Sequence, residues 1–144
     1  MYELRNFLKV IFAIVAVFVV GTELKKFTKC ELAKELTEKG ANTSDLPKWI
    51  CIAEQASNLN SKNSTRFNTM YFVGLYKISN AHCSTTNETS GTCNVTCQTL
   101  RQDDITEQVK CALKLKEEYG FQYWSTIWNR TCQYNNYTLD CPTS

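Results

Sequence analysis

Flexible and repetitive sequence is scarce in this chain. Only 2 Pro and 5 Gly occur among 144 residues, and no tract is of low complexity or repeats at a regular interval. These absences exclude collagen-like, solenoid and disordered proteins. With 43% hydrophobic and 12% aromatic side chains, the composition is that of one globular domain.

Net charge and histidine are also scarce. The formal charge is +2, which is far from the basic excess of a nucleic-acid binder or a lytic membrane protein. The single histidine, His82, leaves little room for a His-based nucleophilic triad, and its place beside Cys83 predicts a solvated loop residue. Cys93 and Cys97 have a spacing that zinc tolerates, but no second histidine or CxxC pair accompanies them. We therefore expect neither a metal nor another cofactor.

No apolar run is long enough to cross a membrane. The run over 10–20 has 11 residues, and as a helix it would rise about 16 Å, roughly half of the hydrocarbon thickness. Arg5 and Lys9 precede it, and the small residues Gly21 and Thr22 follow it, as in a secretory signal peptide. We predict a signal peptide over 1–22, a mature domain over 23–144 and a secreted, extracellular protein without membrane insertion. A membrane anchor is the disfavoured alternative.

Cysteines and sequons support export. All 8 cysteines follow the predicted signal peptide, and an even number in an exported chain indicates disulfides, although the spacing alone does not choose the pairs. Six Asn-X-Ser/Thr sequons are candidate glycosylation sites and predict exposed turns: Asn42, Asn63, Asn87, Asn94, Asn129 and Asn136.

Hydrophobic periodicity predicts helices near both ends and strands between them. Helical spacing covers 27–39 and 46–59, with Ser44 and Asp45 as candidate N-caps of the second helix. Residues 60–82 are rich in polar turn formers and β-formers, which predicts a small antiparallel sheet. Helical spacing returns over 105–115, with an end near Gly120, and a short helix follows at 124–128. This order predicts an α+β fold with the sheet in its own lobe.

Several segments resemble the C-type lysozymes, which are glycoside hydrolases, and are most similar to the insect members. They are CELAKEL at Cys30, SDLPKWICIAEQ at Ser44, GLYKI at Gly74, CNVTC at Cys93, DDIT at Asp103, VKCALK at Val109 and YWSTIWNRTC at Tyr123. The resemblance covers 25–141 and implies a lysozyme-like fold with a helical lobe and a small sheet lobe. It also implies four disulfides, which pair Cys30 with Cys141, Cys51 with Cys132, Cys83 with Cys97, and Cys93 with Cys111.

The resemblance implies that two catalytic carboxylates are replaced. A retaining glycosidase needs an acid that protonates the leaving oxygen and a carboxylate that stabilises the developing cation. The matching positions hold Ala56 and Phe72. Glu54 lies two helical steps from Ala56, a rotation of about 200°, so it should point away from the cleft as a solvated surface glutamate.

The resemblance places the substrate cleft beside Lys77, Ser79, Tyr123 and Trp124. Family members carry sugar-stacking aromatic residues before the position of Cys83, where this chain has Ser79-Asn80-Ala81-His82. Tyr123 stands where the family has a small residue and is expected to narrow the groove, while Lys77 adds a cation. For Trp124, a stacking platform and plain core packing remain equal alternatives.

Calcium binding of the kind found in α-lactalbumin is disfavoured. Gln102 and Gln108 stand where carboxylate ligands would be needed, and Asp103 and Asp104 fit better as N-terminal charges of the next helix. We predict a secreted, glycosylated, monomeric lysozyme-like protein without muramidase activity, whose partner is a glycan or a cell-surface protein. A glycosidase with residual or atypical activity on peptidoglycan is the alternative.

Overall fold

A computed structural model describes residues 25–134 and 138–141 of the chain. The predicted signal peptide over 1–22 and the sequon at Asn136 lie outside the described residues. None of the helices in the described ranges is long and apolar enough to cross a membrane.

Within the described ranges, the helical lobe consists of three longer α-helices and a short C-terminal one. They are α1 (Lys29–Glu38), α2 (Leu46–Ser57), α3 (Thr106–Tyr119) and α4 (Ser125–Ile127), and a π-helical turn, Trp128–Cys132, continues α4. Thr28 and Glu31 form a capping box that begins α1. Each helix lies where the hydrophobic period predicts it: α1, α2 and α4 have ends within two residues of the predicted limits, and α3 ends at Tyr119, beside the predicted end near Gly120.

The beginning of α2 differs from the prediction. Residues 43–45 form a 3₁₀ turn with Asn42 as its N-cap, and the side-chain oxygen of Asn42 accepts the Ser44 N–H. Asp45 makes no capping hydrogen bond. Its carboxylate instead lies 2.7 Å from the Lys48 ammonium and 3.0 Å from the Lys116 ammonium, so it joins α2 to α3.

Among the residues that the structure describes, the sheet lobe contains three short antiparallel strands in the order β1-β2-β3. The strands are β1 (Ser64–Phe67), β2 (Met70–Val73) and β3 (Ile78–Ser79). Their register places Phe72 between Thr65 and Ser79 on the central strand. The predicted α+β fold, with a separate small antiparallel sheet and four disulfides, is confirmed.

The core joins the two lobes through aromatic rings. Trp49 of α2 packs edge-to-face on Tyr76 and on Trp124, with ring centroids 5.3 Å apart in both pairs. Such edge-to-face contacts contribute more to the stability of the fold than the buried area alone. Tyr76 lies in the connection between β2 and β3, so this cluster fixes the sheet lobe on the helical lobe.

A buried glutamine provides the polar part of the same junction. Gln108 of α3 is 1% exposed. Its side-chain oxygen accepts the Leu75 N–H at 2.7 Å, and its NH₂ group donates to the carbonyls of Ser61 and Gln102. Gly74 has φ +76°, and a Cβ there would collide with Gln108 and with the Leu100 carbonyl, so only glycine allows this close approach.

Four disulfides close the domain. Cys30–Cys141 ties α1 to the C-terminal segment, and Cys51–Cys132 ties α2 to the π-helical turn. Cys83–Cys97 lies within the long loop of the sheet lobe, and Cys93–Cys111 joins that loop to α3. These are the pairs that the resemblance implies.

Candidate functional site

A groove of about 280 Å³ lies where the sheet lobe faces α4. We call it the interlobe groove. Its residues include Lys77, Ser79, Tyr123 and Trp124, so the structure brings all four predicted cleft residues together. The full lining is Phe72, Lys77, Ser79, His82, Tyr123, Trp124, Ser125, Thr126 and Ile127.

Tyr123 crosses the groove from the helical lobe to the sheet lobe. Its hydroxyl accepts a hydrogen bond from the Ser79 N–H at 3.1 Å. Its ring packs edge-to-face on Trp124, with centroids 4.8 Å apart, and on His82 at 5.3 Å. Burial raises the pKa of the Tyr123 hydroxyl, so the phenol remains neutral. The Tyr123 hydroxyl therefore occupies the Ser79 N–H, a backbone donor that could otherwise bind a ligand in the groove.

Trp124 belongs to the core and only reaches the groove at its border. The residue is 6% exposed, and its indole N–H donates to the Tyr76 carbonyl at 2.7 Å. Trp49 and Tyr123 cover it with edge contacts. The sequence leaves two roles open for Trp124, a stacking platform for sugar and core packing. Its surroundings favour core packing, because little of the ring face is left for a sugar.

Lys77 places a cation at the edge of the groove. Its backbone has φ 49°, and its ammonium donates to the Asn63 side-chain oxygen at 2.8 Å and to the Thr65 hydroxyl at 2.6 Å. Burial, with a smaller contribution from the positive charge of Arg101, lowers the pKa of Lys77. Two neutral oxygens hold the ammonium, and none of the described carboxylates forms an ion pair with it.

His82 is not the solvated loop residue that the sequence predicts. It is half-buried, lines the interlobe groove, and its Nδ1 lies 3.0 Å from the Thr92 hydroxyl. Burial lowers the pKa of the imidazole, and Glu118 opposes this effect. Sequence reasoning missed this groove residue because the packing of Tyr123 against it joins segments far apart in the chain.

Neither position matched to a catalytic carboxylate carries a polar side chain. Ala56 lies in the last turn of α2, and Phe72 lies on β2 and lines the groove. Glu54 does not line the groove: it is partly exposed on α2, and its carboxylate lies 3.1 Å from the Lys29 ammonium on α1. Among the described residues, those that line the groove include no Asp or Glu.

The two acidic residues before α3 have separate partners. Asp104 accepts hydrogen bonds from the Thr106 N–H and hydroxyl at the first residue of α3, in agreement with its predicted N-terminal role. Asp103 instead pairs with the Lys62 ammonium at 2.7 Å. No group of three or more candidate metal ligands occurs within the described ranges.

The sequons differ in exposure. Asn42, Asn87, Asn94 and Asn129 are exposed, as expected of candidate glycosylation sites. Asn63 is half-buried, and the nitrogen that would carry a glycan donates to the Ser57 carbonyl at 3.1 Å. The expectation of an exposed turn is therefore wrong at Asn63.

Comparisons with known proteins give one consistent result. Residues 25–141 match the model of the C-type lysozyme/alpha-lactalbumin family. Lysozyme c-1 of Anopheles gambiae is 34% identical over 136 residues, which is 90% of this chain and 91% of that protein. A lysozyme of Bombyx mori is 37% identical over 86% of this chain and 90% of its own length.

The structure agrees with the sequence comparison. A crystal structure of a lysozyme from Litopenaeus vannamei superposes with a TM-score of 0.68 and 27% sequence identity, over 78% of this chain and 91% of that chain. Alpha-lactalbumin of Bos taurus is also similar, at 28% identity over 77% of this chain and 81% of that protein. The similar proteins therefore include both lysozymes and an alpha-lactalbumin, the two groups in the family's name.

Proposed function

Because the chain belongs to the C-type lysozyme/alpha-lactalbumin family, we propose that it is a secreted lysozyme-like protein that binds a partner without hydrolysing it. The partner is a glycan or a cell-surface protein, and it contacts the interlobe groove. Export is supported by the apolar 10–20 segment, by the sequons and by the four disulfides, which persist in oxidising compartments.

The single observation that carries this proposal is the chemistry of the groove lining. Glycoside hydrolysis needs one group that gives a proton and one negative charge near the reacting carbon. The lining offers Lys77 as a cation, His82 with a lowered pKa, and the apolar ring of Phe72. A cation at this place would oppose the positive charge of an oxocarbenium-like transition state.

Tyr123 supplies the second support. A substrate chain in the groove would have to displace the bond between its hydroxyl and the Ser79 N–H. A groove that a neutral phenol crosses is better suited to bind a short saccharide or a shallow protein surface than to accommodate a long polysaccharide chain.

Activity on bacterial walls is the direct test. Loss of general acid catalysis alone reduces a rate by roughly 10² to 10⁴, and a missing second carboxylate reduces it further, so we expect turnover of peptidoglycan and chitin equal to a buffer blank. Clear lysis by the unmodified protein, with contaminating lysozyme excluded, would overturn the proposal and favour the glycosidase alternative.

A pair of double variants tests what remains of the cleft. Ala56→Glu with Phe72→Asp restores both carboxylates, and Ala56→Gln with Phe72→Asn is the uncharged control of the same shape. Lysis by the first variant only would show that a substrate groove remains, as a glycan-binding function requires. Lysis by neither would favour a protein partner.

A glycan array separates the two partner classes. Saturable binding that Tyr123→Ala alters and an exposed change such as Gln55→Ala leaves intact would support a glycan in the interlobe groove. An array without sugar-specific binding would leave a protein partner as the proposed ligand.

A further inference from the structure

A second and larger cavity lies on the other face of the sheet. Its volume is about 480 Å³, and we call it the β-lobe pocket. Tyr71 and Val73 of β2 line it, whereas Phe72 lines the interlobe groove. Since successive side chains of a strand point to opposite faces, the two cavities are separated by the sheet itself.

The lining of the β-lobe pocket is rich in hydroxyl and amide groups and has one charge. Among the described residues that form it, Arg101 is the only charged one. The full lining is Thr69, Tyr71, Val73, Asn80, Ser84, Thr85, Thr86, Asn87, Thr96, Cys97, Gln98 and Arg101. The pocket is therefore positive, and its polar groups can both donate and accept hydrogen bonds.

Arg101 lacks a partner within the described ranges. Its Nε is buried and makes no hydrogen bond. Asp103, the acidic residue that is nearest in sequence, pairs with Lys62 instead. A buried donor without an acceptor destabilises the fold, and a guanidinium is shaped to hold a carboxylate or phosphate through two parallel hydrogen bonds. The buried Nε has almost no accessible surface, but the terminal N–H groups of Arg101 are accessible and have no acceptor among the described residues, and they point to an anionic group as their acceptor.

The remaining groups indicate what carries the anion. Ser84 and Thr86 bond to each other, as do Thr96 and Thr99. Thr69, Thr85 and Gln98, by contrast, form no side-chain hydrogen bond with the rest of the described chain and stay available to a ligand. Tyr71 is 36% exposed, and the Arg66 guanidinium lies 4.9 Å from its ring centroid. The part of the ring that Arg66 does not cover can pack on the C–H face of a sugar.

We propose that the β-lobe pocket binds the carboxylate-bearing residue of an acidic saccharide. Arg101 takes the carboxylate, the free hydroxyl and amide groups of the rim take the ring hydroxyls, and Tyr71 covers the apolar face. This site is spatially separate from the interlobe groove, because it lies on the opposite face of β2, although the charge of Arg101 is felt by Lys77 in the groove.

Titration by two-dimensional ¹H–¹⁵N NMR tests the assignment. The full secreted chain carries Thr89→Ala, which removes the sequon at Asn87 but keeps the asparagine, so that no glycan covers the rim. Three probes are added: glucuronate, glucose as its neutral counterpart, and inorganic phosphate. We expect saturable shifts around Arg101 with glucuronate, binding at least tenfold weaker with glucose, and weaker binding with phosphate.

Two variants and a control locate the contact. Arg101→Gln should weaken glucuronate binding at least tenfold, and Arg130→Gln, which removes the same charge from the exposed π-helical turn, should leave it unchanged. Thr85→Asp keeps Arg101 but places a negative charge on the rim, and it should abolish binding even if Arg101→Gln does not fold.

Three results would overturn the proposal. Equal binding of glucose and glucuronate would remove the role of the carboxylate. Phosphate that binds as tightly as glucuronate would mark a simple anion site. Shifts that map to Tyr123 and His82 rather than to Arg101 would place the ligand in the interlobe groove.

Discussion

Gln108 is a polar residue that stabilises the contact between the two lobes from a buried position. It satisfies one backbone N–H and two carbonyls where α3 meets the sheet lobe. An amide does this well because it presents an acceptor and donors at the same time, which a carboxylate does not.

Replacement of Gln108 by leucine should therefore be costly. Gln108→Leu keeps the approximate volume but leaves buried backbone groups without partners, and we expect the free energy of unfolding to fall by about 2 to 4 kcal/mol. Gln55→Leu, on the exposed side of α2, is the matched control and should change it by less than about 0.5 kcal/mol. Equal effects in chemical denaturation would contradict the role of Gln108.

His82 should make stability depend on pH. Burial lowers its pKa below the ordinary 6.5, so the unfolded state binds more protons and the free energy of unfolding decreases as pH falls below about 6.5. His82→Gln should flatten the loss of melting temperature between about pH 7 and pH 5. Asp104, whose pKa is lowered by its bonds to Thr106, acts only at lower pH. The same slope in both proteins would exclude a contribution of His82.

At the scale of elements, the loop before α3 resembles a calcium loop in position but not in chemistry. The side-chain NH₂ of Gln108 faces two carbonyls, so this residue turns donors toward the loop where calcium would need oxygens. Asp103 and Asp104 are directed to Lys62 and Thr106.

Calcium should accordingly not stabilise the protein. We expect the same melting temperature in micromolar calcium and in chelator, since a ligand that does not prefer the folded state leaves stability unchanged. Gln108→Glu is an informative companion variant, because it adds a carboxylate at this position. A clear calcium-dependent rise in the unmodified protein would contradict the prediction.

At the scale of the whole molecule, the predicted signal peptide and the four disulfides can be tested together on protein from the culture medium. We expect intact-mass analysis to find a cut between about residues 21 and 25 and to find no free thiol. Peptide mapping should recover the four pairs of the structure, including Cys30–Cys141, whose sequence separation is 111. Free thiols or an uncut 10–20 segment would contradict this form.

The helices and the lobes follow from the sequence alone. Helical spacing over 46–59 and 105–115 predicts α2 and α3 because burial of one face repeats with the helical turn. The position of the sheet follows from a local excess of β-formers in 60–82. The candidate cleft residues follow from the resemblance to the C-type lysozymes, which rests on short segments of this chain that match the family.

Contacts between distant segments required the tertiary structure. The bond from the Ser79 N–H to the Tyr123 hydroxyl joins residues 44 positions apart, and the bond from the Leu75 N–H to the Gln108 side-chain oxygen spans 33 positions. No local sequence pattern predicts such pairs, because they depend on how the sheet lobe packs against the helical lobe. The burial of Trp124 and His82 and the unpaired Arg101 have the same cause: a side chain's surroundings are set by packing, whereas periodicity sets only the face on which it lies.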